Sequence, residues 1–294
     1  MKKENSNKSL PNRWEIYFYV LMGHIFYWIN NAARYRFRSA NKAKIALTGK
    51  EKENKISFKV DVINYSSGGD LSKNTEIMKH IQETPLNNKI LTAAKNGTPL
   101  LTFGDGSKPR VMITAGVHGN ELPPQIAALK LANELKDNLN DDSIDNRMRG
   151  TVYLIPFVAP AASGANDKHF KGQNLNLETN ISGSLTNDVL KIAQELNITS
   201  LVDCHGTSTD PAKNAVIYFP KIGSSKIAVY INKKTSSTLL VLLQDPGMLI
   251  TQCNHHQIPS VICEVKSADG VASAESIDMA YNQMKAFLSY HQIL

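Results

Sequence analysis

The chain has 294 residues, a length that suits one sizeable α/β core with an appendage rather than a string of domains. Its formal charge of +7, from 33 Lys+Arg against 26 Asp+Glu, sits in the first 59 residues, which hold 13 basic and 4 acidic side chains; the other 235 hold 20 against 22. That distribution argues against a nucleic-acid enzyme with a basic active face, and three cysteines without C-x-x-C spacing support neither a disulfide framework nor a cysteine-zinc site.

Residues 1–45 read as a basic N-terminal arm. Within it, Trp14–Ile29 is apolar nearly throughout and unusually aromatic, broken by Glu15, Gly23 and His24. Sixteen residues fall short of the roughly 20 that a spanning helix wants. Lys2, Lys3, Lys8 and Arg13 precede the segment, and Arg34, Arg36, Arg38, Lys42 and Lys44 follow it. The expectation is an interfacial or membrane-anchoring segment, with a helix packed on the domain or on a second copy as the competing reading. If it inserts, its heavier C-terminal basic flank keeps the rest of the chain in the cytoplasm.

Residues 46–88 read as linker, one strand and a short helix. Ile56, Phe58, Val60 and Val62 alternate at period two before the turn-rich Ser66–Asp70, and a helix is predicted around Thr75–Gln82. Asn96-Gly97 reads as a hairpin turn joining Lys89–Ala94 to Thr98–Phe103. A strand through Val111–Ala115 follows. Helices are then predicted at Leu122–Asn138, Leu185–Leu196, Lys226–Thr235, Met248–His256 and Ala272–His291. Strands are predicted at Thr151–Val158, up to His205, at Asn214–Phe219, near Leu239–Leu243, and up to Glu264. Such alternation predicts an α/β fold with a mixed, mostly parallel central sheet and helices on both faces, whose ligands bind beyond the carboxyl ends of strands. The loop from Pro160 to Glu178 is too long for a bare connector and is expected to form a substrate wall.

Three strand ends carry chemistry. Val111–Ala115 delivers Gly116-Val117-His118-Gly119-Asn120-Glu121, a His-x-x-Glu pair followed by Pro123-Pro124, which suits a helix's first turn. Ser200–Cys204 ends in His205, completing a His, Glu, His set of the kind that holds catalytic zinc with a fourth position left open. The apolar run Ser260–Cys263 ends directly in Glu264, the carboxylate expected to serve as base.

The order AGVHGNE, an Asn-Leu-Asn segment (Asn174–Asn176), VDCH and an apolar strand ending in Glu resembles the succinylglutamate desuccinylase/aspartoacylase family, relatives of the zinc carboxypeptidases, from about Lys89 to the C-terminus. The resemblance implies a zinc carboxypeptidase-like catalytic domain over 89–294, one Zn2+ per chain held by His118, Glu121 and His205, and Glu264 as the proton-transferring carboxylate. Such enzymes carry Asp-Leu-Asn-Arg with another Arg upstream. Here Asn174-Leu175-Asn176-Leu177 stands in that place, with Lys168 and His169 near the upstream Arg position. Leu177 cannot copy an Arg forked onto a carboxylate.

The implied reaction is hydrolysis of an amide of an N-acyl amino acid or related small amide by a zinc-activated water, with Glu264 accepting the proton and passing it to the leaving amine. His169 or Lys168 is expected to donate to the oxyanion, Asn176 with Lys168 to hold the substrate's polar end, and Asp203 to orient a ligand histidine. A carboxypeptidase acting on a peptide or cell-wall crosslink, and a metal-retaining binding protein without turnover, are the alternatives.

Overall fold

Eight strands form one sheet in the order β1-β2-β4-β3-β5-β8-β6-β7. They are β1 Ser57–Asn64, β2 Thr98–Gly104, β3 Arg110–Ala115, β4 Thr151–Ile155, β5 Ser200–Thr207, β6 Ala215–Tyr218, β7 Thr238–Val241 and β8 Ser260–Lys266. The pairs β3/β4, β3/β5, β5/β8 and β6/β7 are parallel, while β1/β2, β2/β4 and β6/β8 are antiparallel. The sheet is therefore mixed and parallel at its centre. This computed structural model describes residues 57–139, 148–208, 213–242 and 245–294. The basic arm, 1–45, with its apolar segment 14–29 lies outside the described residues.

The central strands are apolar on both sides because helices cover both faces, as buried parallel sheets require. On β5, Val202 and Cys204 join Val261, Cys263 and Val265 of β8 in a core shared with helices α3 (Leu122–Asn138), α6 (Ile222–Thr235) and α8 (Ala274–Tyr290). Leu201 and Ile262 point the other way, into a second core with α5 (Leu185–Glu195) and α7 (Leu249–His255). Alternation then fixes the chemistry. Asp203 and His205 continue the face of Leu201, Glu264 continues that of Ile262, and His205 pairs in register with Glu264. The same alternation puts Cys204 opposite Cys263 on the far face, where both are buried free thiols.

One expectation needs correction. The hairpin predicted at Asn96-Gly97 is a helix end: Pro85–Asn96 forms α2, whose Leu86, Ile90 and Ala94 are buried at four-residue spacing. Thr84 caps it by accepting a hydrogen bond from the Asn87 N–H at 3.0 Å, with Pro85 in the first turn. The cap and the proline outweigh the Asn-Gly turn preference, and β2 takes its antiparallel partners from β1 and β4. Residue 89 lies inside α2, and β1 forms one outer strand of the sheet. The short helix predicted at Thr75–Gln82 is α1, Thr75–His80, capped by Asn74. The long loop after β4 holds a further short helix, α4, Pro160–Ala165.

Candidate active site

His118, Glu121, His205 and Glu264 gather toward the carboxyl ends of β3, β5 and β8. After β3 the chain turns through Gly116, whose φ of +72° lies in the left-handed region that favours glycine. Gly119 has no room for a side chain, because a Cβ would sit 2.3 Å from the Ala162 carbonyl carbon. The turn thus locks against α4. It is braced from below by Gln125, whose amide donates to the carbonyls of His118, Gly119 and Glu121 at 3.3, 3.1 and 2.9 Å. Glu121 stands at the cap position of α3 yet makes no side-chain cap bond.

Its carboxylate is committed elsewhere. Oε1 faces His118 Nδ1 at 2.6 Å, and Oε2 faces His205 Nδ1 at 2.9 Å while accepting from the Gly206 N–H at 3.0 Å. One ligand atom from each of His118, Glu121 and His205 lies within 4.8 Å of the others. The structure thus brings His205, 84 positions beyond Glu121, up to the His118–Glu121 pair, each of the three buried or nearly so.

The far nitrogens of both rings are tied down. His205 Nε2 meets Asp203 Oδ2 at 3.0 Å, and Asp203 Oδ1 in turn accepts from the Thr114 hydroxyl at 2.6 Å. His118 Nε2 meets Asn174 Oδ1 at 2.8 Å, and the same oxygen accepts from the Asn176 N–H at 3.2 Å, which identifies it as the amide oxygen. Each imidazole held by an acceptor at Nε2 can offer its Nδ1 lone pair to a cation. The donor set fits a divalent metal: two neutral imidazoles and a carboxylate, pre-aimed and backed by oxygen acceptors.

Burial opposes charge on His205, but the flanking Asp203 and Glu121 carboxylates outweigh it and raise its pKa well above the ordinary 6.5. Burial likewise pushes against ionised Glu121, and the facing imidazoles of His205 and His118 outweigh it, holding the carboxyl well below its usual range. Glu264 goes the other way. Burial is the main cause; His205 opposes it, Glu121 and Asp203 reinforce it, Lys168 opposes it, and the carboxyl ends at about 7. Its Oε2 is buried without a protein hydrogen-bond partner.

Of the other residues singled out in the sequence, Lys168 is exposed but acts electrostatically on Glu264. His169 is exposed on the same turn; its backbone N–H is held by Asp167, and its ring makes no hydrogen bond among the described residues. Asn176 carries a buried Oδ1 without a partner, and Leu177 is 48 % exposed. Asn174, Thr114 and Gln125 were not singled out. Asn174 had a signal, since it occupies the Asp position of the Asp-Leu-Asn-Arg pattern; Thr114 and Gln125 had none. Removing an outer partner of a ligand imidazole typically costs about 10–100-fold in metal affinity. Asn174→Ala is expected to show that loss in a competitive chelator titration and Asn174→Asp to keep or exceed native affinity; equal affinity in the alanine variant would deny Asn174 this role.

No family model matches the chain, and no curated protein matches it in sequence. Solved structures do. An aspartoacylase family protein from Mesorhizobium loti superposes with a TM-score of 0.51 at 20% identity, covering 67% of this chain and 62% of its own. A succinylglutamate desuccinylase from a Silicibacter species gives 0.53 at 18%, covering 68% and 63%. A metallo-carboxypeptidase from Burkholderia cenocepacia gives 0.53 at 18%, covering 66% and 60%. The fold is thus the one shared by desuccinylase/aspartoacylase proteins and metallo-carboxypeptidases. The chain spans less than two thirds of the length of these three proteins.

Proposed function

We propose that this chain is a zinc-dependent hydrolase that cleaves the amide bond of an N-acyl amino acid or a related small amide, with His118, Glu121 and His205 as ligands and Glu264 as proton carrier. The observation that carries the reading is the convergence of the three ligand atoms beside a buried, unpaired carboxyl whose pKa of about 7 suits it both to take and to return a proton at neutral pH. When bound, a zinc ion supplies Lewis-acid activation of a carbonyl and of a water molecule.

The remaining work falls to the chain's own side chains. Glu264 accepts the proton of the attacking water and delivers it to the leaving nitrogen. Lys168, with His169 beside it, donates to the oxygen that gains charge, and Asn176 with Lys168 holds the polar end of the substrate. Asp203 and Asn174 keep the ligand rings in one tautomer. Both arginines among the described residues, Arg110 and Arg149, stand at the amino ends of β3 and β4, across the sheet from the site. With no guanidinium fork among the described residues at the site, a substrate carboxylate, whether of an N-acyl amino acid or of a peptide C-terminus, would meet Lys168 and Asn176 instead.

The test is to incubate zinc-loaded protein with N-acyl amino acids, simple N-acyl amides and peptides while measuring released amine. Amine release from the small amides, abolished by chelation, is expected; cleavage of peptides alone would overturn the deacylase assignment. Metal uptake should also be proton-coupled. The Asp203 and Glu121 carboxylates flanking His205 favour its protonated form, so a metal held there competes with a proton, and affinity is expected to rise with pH. Zinc titration calorimetry in two buffers of different protonation enthalpy should reveal net proton release at pH 7; identical heats after buffer correction would contradict this.

A further inference from the structure

Residues 60–294 carry 20 basic and 22 acidic side chains, yet Lys213–Leu242 hold five lysines and neither Asp nor Glu. These residues build β6, α6 and β7, one end of the sheet. Along α6, Ile222, Lys226, Val229 and Lys233 recur at four-, three- and four-residue steps, which places them in one stripe, and all four are exposed. Ile222 is 76 % and Val229 38 % exposed, and Val241 on the edge strand β7 is 52 % exposed. Lys226, Val229 and Lys233 border a shallow hollow of about 360 Å³ whose other walls are Ser225, Tyr230 and Tyr290. The two tyrosine rings meet edge to face at 5.6 Å. Among the described residues no acidic side chain forms an ion pair with Lys213, Lys226, Lys233 or Lys234.

We infer that the outer face of α6, extended by Val241, docks on a membrane surface rich in anionic lipid. Unpaired ammonium groups meet the negative surface potential while the aliphatic side chains between them enter the headgroup–acyl boundary. A nucleic acid would satisfy the lysines but leave Ile222, Val229 and Val241 in water, whereas a bilayer covers both kinds of group. The sequence carries a second segment combining apolar and basic residues, the aromatic stretch 14–29 with its flanks. Ile222 lies near the amino end of β8, since its neighbour Gly223 packs against Pro259. The proposed ligand residues sit at the carboxyl edge, away from the Ile222 end of α6.

Vesicle co-sedimentation of the full-length chain tests this, using phosphatidylcholine alone and phosphatidylcholine with about one third phosphatidylglycerol at near-physiological salt. Anionic vesicles are expected to bind at least about tenfold more strongly than neutral ones, and Lys226→Glu/Lys233→Glu to weaken that binding by at least about tenfold. Ile222→Ser/Val229→Ser should weaken it several-fold at unchanged charge. Circular dichroism verifies folding, and Lys226→Gln/Lys233→Gln replaces the charge-reversed variant if that one fails to fold. Equal binding to both vesicle types, no binding to either, or partition unchanged in the lysine variants would overturn the inference. So would lysine variants that lose binding to duplex DNA but keep binding to vesicles.

Discussion

Glu264→Gln should lower turnover by about 10²- to 10⁴-fold while the purified protein still carries one metal ion per chain. Gln keeps the shape and loses the ability to hold a proton, so the effect isolates proton transfer from packing. Glu264 stands beside the ligand cluster without belonging to it, and its Oε2 has no protein partner to lose. A merely structural carboxylate would behave differently in stability. The group's pKa is raised from 4.5 to about 7, so the native state favours the protonated form. Its contribution to stability is therefore full below about 4.5 and lost as pH rises through about 7. Metal-free Glu264→Gln lacks that loss and is expected to melt higher than the native chain above pH 7, with the advantage vanishing toward pH 4.5. Native-like turnover in this variant would remove Glu264 from the reaction.

His118→Ala should abolish stoichiometric metal binding and, with it, all amide cleavage. Three ligands leave little redundancy. Taking one away removes a donor and also leaves Glu121 Oε1 without the imidazole it faces at 2.6 Å, deep in a site where an unpaired charge is costly. The stability cost in the metal-free state is expected at about 1–3 kcal/mol, read from denaturant unfolding, because a buried acceptor loses its only ring partner on that side. Metal content by atomic absorption gives the decisive number. A His118→Ala protein that still copurifies with one zinc per chain would place the metal elsewhere.

What the sequence reveals about this molecule follows from how local each signal is. The sheet's central strands and α3 read correctly because their apolar runs and helical periodicity are local, and α3 is observed at its predicted limits, Leu122–Asn138. His118, Glu121 and His205 stand out as candidates because apolar runs lead up to them, although β5 continues past His205 to Thr207. Their convergence, by contrast, depends on β3 and β5 being neighbours, a fact of topology. Asn96-Gly97 misled because turn preference and helix termination use the same residues, and only the Thr84-Pro85 start eleven residues earlier distinguishes them. Thr114 is silent in the sequence for a similar reason: a threonine inside an apolar strand is ordinary until Asp203 stands opposite it in the neighbouring strand. Gln125 looked like one polar residue on a buried helix face, and its work on three carbonyls becomes visible only with the turn folded over it.

The most direct test of the proposed site is a crystal structure of the chain grown with zinc, using anomalous diffraction at the zinc edge. The proposed site predicts one strong peak per chain within bonding distance, about 2.0–2.2 Å, of His118 Nδ1, His205 Nδ1 and a Glu121 oxygen. A peak bound by other residues, or none at a zinc concentration that saturates the protein in solution, would contradict it.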